Sequence, residues 1–183
     1  MKYFLDTEFI ERPNQIDLIS IGLVCEDGRE YYSISTEYNY YKASDWVKEN
    51  VILPMYLQEV NGDNRNRFDV AFFQRSYGRT LLQIRKDLLD FIQVTKYEKP
   101  EFWGYYSDYD WVVFCWIFGK MIDLPKGYPM YCNNLQQLYD NNDIEVVITE
   151  QKNEHNALDD ARWNKEFYSS MLRELSILKL NNL

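Results

Sequence analysis

Three short runs rich in apolar, aromatic and β-branched residues stand in the first 35 positions: Lys2 to Leu5, Asp17 to Cys25 and Glu30 to Ser35. The turn-formers Pro13-Asn14 and Asp27-Gly28 separate them, which predicts three consecutive strands with a tight hairpin between the second and third. Further along, Thr80 and Gln83 have the spacing of a capping box, and Leu81, Ile84, Leu88 and Ile92 recur at helical period, with Leu89 and Phe91 flanking, as far as Val94. This is an amphipathic helix. Phe102 to Tyr105 forms a fourth strand after Pro100, and Asp110 to Phe118 a strongly apolar helix that Gly119 stops. Tyr131-Cys132 is a weak fifth strand, followed by a helix over Leu135 to Tyr139. A last helix starts near Asn156 and continues to Leu175, with Ala157, Leu158, Ala161 and Tyr168 suited to its inner face. Strands followed by strands interleaved with helices imply an α/β sheet with helices on both faces. The chain shows no repeat, low-complexity tract or interdomain linker.

With 183 residues, 46% of them hydrophobic, the chain is long enough for one domain with a core of its own, residues 1–183. Its longest apolar runs, such as Trp111 to Phe118, fall well short of the roughly 20 residues that span a bilayer. Met1-Lys2-Tyr3 leads directly into strand-like sequence with no secretory leader, so a soluble cytoplasmic protein is expected. Cys25, Cys115 and Cys132 are odd in number, widely spaced and in apolar settings, which reads as reduced core residues. A net charge of −9 argues against a protein that coats duplex nucleic acid. It leaves room for an enzyme that holds only a few terminal nucleotides, because bound cations offset local carboxylates and aromatic rings supply affinity by stacking.

Candidate chemistry sits at the two ends. Asp6-Thr7-Glu8 continues the first strand, and carboxylates two residues apart on a strand point to the same side. The only histidine stands in His155-Asn156-Ala157-Leu158-Asp159-Asp160, at the start of the last helix. Taken singly, an Asp-x-Glu tripeptide is most often a solvated strand end and a lone histidine most often structural. Together they suggest a nuclease that shares two divalent cations between a strand and a distant helix.

The chain resembles the DnaQ-like, DEDD-type 3′→5′ exonucleases in their histidine-containing form. Asp6-Thr7-Glu8 is similar to the family's first motif, Tyr109-Asp110 to the second, and His155-x-Ala157-x-x-Asp160 to the third, in the family's order. The resemblance implies an RNase H-like mixed five-stranded sheet with helices on both faces. It implies two cations, Mg²⁺ or Mn²⁺, with Asp6 bridging both, Glu8 and Asp160 on one, and Asp110 holding the other directly or through water. His155 is then the general base, its ordinary pKa lying near working pH. Asp108 and Asp159 compete with Asp110 and Asp160. Asp108 lies where it could cap the helix, and Asp159 is rotated about 100° from Asp160.

Four further readings concern substrate. Arg65, Arg67, Arg75 and Arg79, in the polar, loop-rich segment from Asn61 to Arg79, form the one concentrated basic stretch, either a solvated connection or a lip for phosphates or a partner subunit. Phe9 is placed to wedge against a terminal base, or to join the core, and Thr7 to turn its backbone toward the 3′ end. Trp46-Val47-x-x-Asn50-Val51-x-Leu53-Pro54 and Trp103-x-Tyr105-x-x-Tyr109-Asp110 are similar to a compact bacterial and phage branch of exoribonucleases, which implies RNA and a homodimer. The expected reaction releases nucleoside 5′-monophosphates from single-stranded 3′ ends or overhangs. The alternatives are the same chemistry on DNA and a catalytically silent binding module.

Overall fold

The computed structural model describes residues 1–60, 67–95, 97–142, 144–146, 151 and 153–181. A mixed sheet organises them, with strand order β4-β3-β2-β1-β5-β6. Its antiparallel centre is β1 (Lys2–Arg12), β2 (Gln15–Cys25) and β3 (Glu30–Ser35). Strand β5 (Glu101–Gly104) runs parallel to β1, and β6 (Asn133–Asn134) parallel to β5. A two-residue edge strand, β4 (Gly78–Arg79), lies parallel to β3.

The two faces carry different helices because the side chains of β1 alternate. Tyr3 and Leu5 join a core with Ile84 and Leu88 of α4 (Leu81–Phe91) and with Trp111, Phe114 and Phe118 of α5 (Asp108–Phe118). Phe102 of β5 sits fully buried in the middle, with its ring against Tyr3, Trp111, Phe114 and Tyr128. On the opposite face Phe4 and Val24 pack on Ala161 of the long helix α7 (Ala157–Asn181). A third cluster, around Ile10, Ile19, Ile34 and Phe73, is covered by a helical arm and by α3 (Val70–Tyr77). The arm joins α1 (Asp45–Val47), a π-helical turn (Lys48–Ile52) and α2 (Leu53–Glu59). Helix α6 (Leu135–Asp140) leans on α7 through Leu135, Trp163 and Phe167.

Several elements differ from their sequence patterns. Strand β1 does not stop at Leu5 but continues through the acidic pair to Arg12, because Ile10 beyond it is buried and the whole stretch pairs with β2. The sheet has six strands instead of five. The weak strand lies at Asn133–Asn134 instead of Tyr131-Cys132, and β4 carries no apolar signature at all. Part of the basic connection is not loop: Asp69 caps α3 by accepting from the Phe72 N–H at 3.0 Å, and Phe73 is buried. Helix α5 starts at Asp108, so Asp108 is its first residue and Ser107 its N-cap. Helix α4 ends at Phe91, three residues early, and α7 runs past Leu175 to Asn181. Cys25, Cys115 and Cys132 are free thiols. Among the described residues no helix is long and apolar enough to cross a membrane.

Candidate active site

The carboxylates of β1 meet α7 because of a glycine and a bulge. Asp6 pairs across the sheet with Gly22, and a Cβ at Gly22 would overlap the carbonyl of Ala157, so only glycine lets the first turn of α7 settle here. Between Glu8 and Phe9 the register shifts, with Glu8 opposite Ser20 and Phe9 opposite Leu18. Such a bulge bends the strand and re-aims its side chains. The buried Asn164 amide donates to the Leu5 carbonyl at 3.0 Å and ties α7 to the strand just before Asp6. Asn156 starts the helix: its Oδ1 accepts from the Leu158 and Asp159 N–H groups at 3.1 and 3.2 Å. Asp160, one turn in, is thereby brought to Asp6 and Glu8, with carboxylate oxygens of all three within 4.8 Å of one another.

Asp110 approaches from the first turn of α5. Its Oδ1 accepts from the Thr7 N–H at 2.8 Å and the Thr7 hydroxyl at 2.6 Å, so Thr7 orients Asp110. Asp110 stands outside the trio that lies within 4.8 Å, yet it adds to the charge around Asp6 and Glu8. Asp160 is held on both oxygens: Gln151 Nε2 donates to Oδ1 at 2.6 Å and the His155 N–H to Oδ2 at 3.0 Å.

Burial followed by mutual repulsion governs the protonation of this group. Desolvation and the charges of Asp110, Glu8 and Asp160 push the Asp6 carboxyl well above the usual range. Desolvation, then Asp160 and Asp110, lift Glu8 to about 8. Desolvation raises Asp110 and Asp160 to about 6 against the hydrogen bonds that favour their ionised forms. No lysine or arginine among the described residues forms an ion pair with any of the four. A cluster of hard oxygen donors with repelling charges, and with no lysine or arginine paired to it among the described residues, fits divalent cations.

His155 has left-handed backbone geometry, φ 70°, and its ring meets the indole of Trp46 edge-on, with centroids 4.8 Å apart. Beside Glu8 opens a cleft of about 550 Å³, lined by Thr7, Phe9, Lys42, Ser44 and Trp46 among others. Phe9 both faces this cleft and packs against the main core, with its ring 6.0 Å from that of Tyr109. Arg67, Arg75 and Arg79 are not among the lining residues of this cleft. Arg79 pairs with Asp87 at 2.7 Å on the far edge strand, Arg67 and Arg75 are exposed, and Arg65 lies outside the described residues. Asp159 pairs with Arg162 at 2.6 Å, and Asp108 is exposed. Sequence patterns alone do not identify Trp46, Lys42, Gln151 or Gly22 as site residues. Trp46 opens one of the exoribonuclease-like motifs, but only the three-dimensional contact with His155 reveals its place.

The model of the 3′-5′ exoribonuclease Rv2179c-like domain family matches residues 1–172. Two curated relatives, the 3′-5′ exoribonucleases Rv2179c and MT2234.1 of the Mycobacterium tuberculosis strains H37Rv and CDC 1551, are each 36% identical over 164 residues, 88% of this chain and 88% of theirs. Among solved structures, E. coli exonuclease I in complex with a dT13 oligonucleotide superposes with a TM-score of 0.53 at 13% identity. That match covers 99% of this chain and 42% of exonuclease I, and it identifies the fold as RNase H-like.

Proposed function

We propose that this chain, which belongs to the Rv2179c-like 3′-5′ exoribonuclease domain family within the DEDD exonucleases, removes nucleoside 5′-monophosphates from single-stranded RNA 3′ ends or overhangs. One observation carries the reading. Asp6, Glu8 and Asp160, from elements more than 140 residues apart, lie within 4.8 Å of one another with no cationic side chain paired to them among the described residues. Asp6, Glu8 and Asp160, with Asp110 beside them, would hold two divalent cations, Mg²⁺ or Mn²⁺. Bound there, such a pair supplies Lewis-acid stabilisation of the attacking and leaving oxygens.

The side chains do the rest. Phe9 and Trp46 offer rings to the terminal base, and Lys42, the one cation among the described lining residues of the cleft, offers charge to a phosphate. Thr7 fixes the Asp110 carboxylate, while Gln151 and the His155 N–H fix that of Asp160. His155 accepts the proton of the attacking water as its oxygen bonds to phosphorus. The P–O3′ bond then breaks, and the leaving O3′ takes up a proton. Arg67 and Arg75, both exposed, would contact RNA phosphates further from the end.

The chain acts as one catalytic domain, in the cytoplasm, as a homodimer. Its free cysteines suit a reducing compartment. The outward side of α5, where Val112 and Trp116 are exposed, suits a subunit contact. The decisive experiment offers 5′-labelled RNA and DNA, single-stranded or with a 3′ overhang, in Mg²⁺ or Mn²⁺ with an EDTA control. Shortening of the RNA from its 3′ end, lost in Asp160→Ala and severely slowed in His155→Ala, is expected. Internal fragments, or full activity in either variant, overturn the reading.

A further inference from the structure

Trp46 belongs to none of the acidic motifs, yet its indole borders two parts of the site at once. It lines the cleft beside Glu8 and Phe9, and it meets the His155 ring at 4.8 Å with the planes 79° apart. It is 54% exposed, so core packing does not explain a tryptophan there.

The backbone beneath His155 is unusual too. His155 has φ 70° and Asn153 φ 56°, both in the left-handed region, which a histidine rarely adopts. Contacts from two directions hold the segment in place. From α7, Asp160 accepts the His155 N–H; from the arm, Gln58 Oε1 accepts from Asn156 Nδ2 at 3.0 Å, and Trp46 faces the ring. The π-helical turn Lys48–Ile52 lies between Trp46 and Gln58. The extra residue of such a turn rotates the rest of the arm by about 100° around the helix axis, which lets both residues reach the same segment.

We propose that Trp46 is the positioning residue through which a nucleotide seated in the cleft sets the orientation of the His155 imidazole. The indole is common ground: a base lying against it in the cleft touches the same ring that His155 touches, so movement of the indole reaches the general base directly. The proposal rests on the exoribonuclease reading for the identity of the ligand. The contact between the two rings does not depend on it.

The single histidine makes the test direct, because the imidazole carbon-bound protons give one set of signals in a ¹H–¹³C spectrum. Wild type, Trp46→Ala and Trp46→Phe are compared at one pH with Mg²⁺, with and without adenosine 5′-monophosphate as probe. In wild type the signals are displaced by the indole ring current and move again when the nucleotide is added. In Trp46→Ala the displacement is lost and the response to bound nucleotide disappears, and in Trp46→Phe both are partly restored. In kinetics, Trp46→Ala lowers kcat by about tenfold or more with unchanged Mn²⁺ affinity, and Trp46→Phe recovers part of the rate.

Imidazole signals in Trp46→Ala that match wild type, or that still respond to nucleotide binding as in wild type, overturn the proposal. So does a rate loss confined to KM. Because both variants change an exposed side chain, melting curves on each separate misfolding from lost coupling, and Trp46→Phe keeps the test valid should Trp46→Ala unfold. A wild-type protein that leaves RNA intact while its imidazole still answers the nucleotide refutes the exoribonuclease reading alone. An active enzyme with an unresponsive imidazole refutes the role of Trp46 alone.

Discussion

Gly22 and Gly28 lie six residues apart, on β2 and in the turn after it, and they need to be glycine for opposite reasons. Gly28 has φ +95° with open space around it, so its requirement is local. Gly22 has an ordinary strand conformation, and its requirement is the carbonyl of Ala157 pressed against its Cα. Gly22→Ala is therefore expected to cost about 1–3 kcal/mol, as overpacking does. It should also weaken Mn²⁺ binding, because the turn of α7 that carries Asp160 must back away. Gly28→Ala is expected to cost about 1 kcal/mol through the turn and to leave Mn²⁺ binding as it was. Melting curves and calorimetric titration of both variants check this, and equal Mn²⁺ affinities in the two contradict the placement of α7. Spacing alone makes Asp6, Glu8, His155 and Asp160 stand out in the sequence, since i, i+2 on a strand and i, i+5 at a helix start are local relations. Gly22, Trp46 and Gln151 matter through what folds against them, and no local pattern carries that.

The elements show the same division between local and distant causes. The capping box of α4 is readable in the sequence and present in the fold, with Thr80 N–H donating to Gln83 at 2.9 Å and Gln83 N–H to Thr80 at 3.3 Å. The apolar α5 is readable because nearly every position in it is hydrophobic. The arm is not, since a π-helical turn breaks its period and α1 is only three residues long. Strand β1 reads short because Asp6 and Glu8, the two acids of the candidate site, interrupt its apolar pattern. The part of α7 that meets the acidic cluster is its first turn, which Asn156 caps and which carries Asp160. Asn156→Ala removes the cap and the contact with Gln58, and is expected to cost about 1 kcal/mol of stability and to slow RNA shortening. Asn156→Ser, which keeps a capping oxygen, should recover most of the stability. It cannot replace the amide that reaches Gln58, so the rate should recover less. Thermal melts read the first effect and single-turnover rates the second; full recovery of both by serine would mean that the Gln58 contact does nothing for His155.

Over the whole molecule, acidity and metal are linked. The chain carries a net charge of −9, and four of its carboxyl groups converge with folded pKa values above their ordinary ones. Ordinary values are 3.8 for aspartate and 4.5 for glutamate, against about 6 for Asp110 and Asp160 and about 8 for Glu8. Between about pH 4 and 8 the folded chain without metal therefore binds more protons than the unfolded one, and the linkage relation makes its stability fall as pH rises through that window. Carboxylates lowered by partners act in the opposite sense but elsewhere. Asp27, held near 2 by its hydrogen bonds from Arg29, loses its contribution only as the pH drops below its ordinary value of 3.8. Divalent cations bind the deprotonated oxygens and stabilise the fold by mass action, more strongly the fewer protons they must displace. The melting temperature in EDTA should thus decline from pH 5.5 to 8.5, while the increment given by Mn²⁺ grows over the same range. Asp160→Asn should flatten both trends, since it removes one of the repelling charges and one ligand together. A metal-free melting temperature that stays level across this range, or a Mn²⁺ increment that is the same at each pH, would mean that the four acids are not strained by one another and that cations are not what this cluster is built to hold.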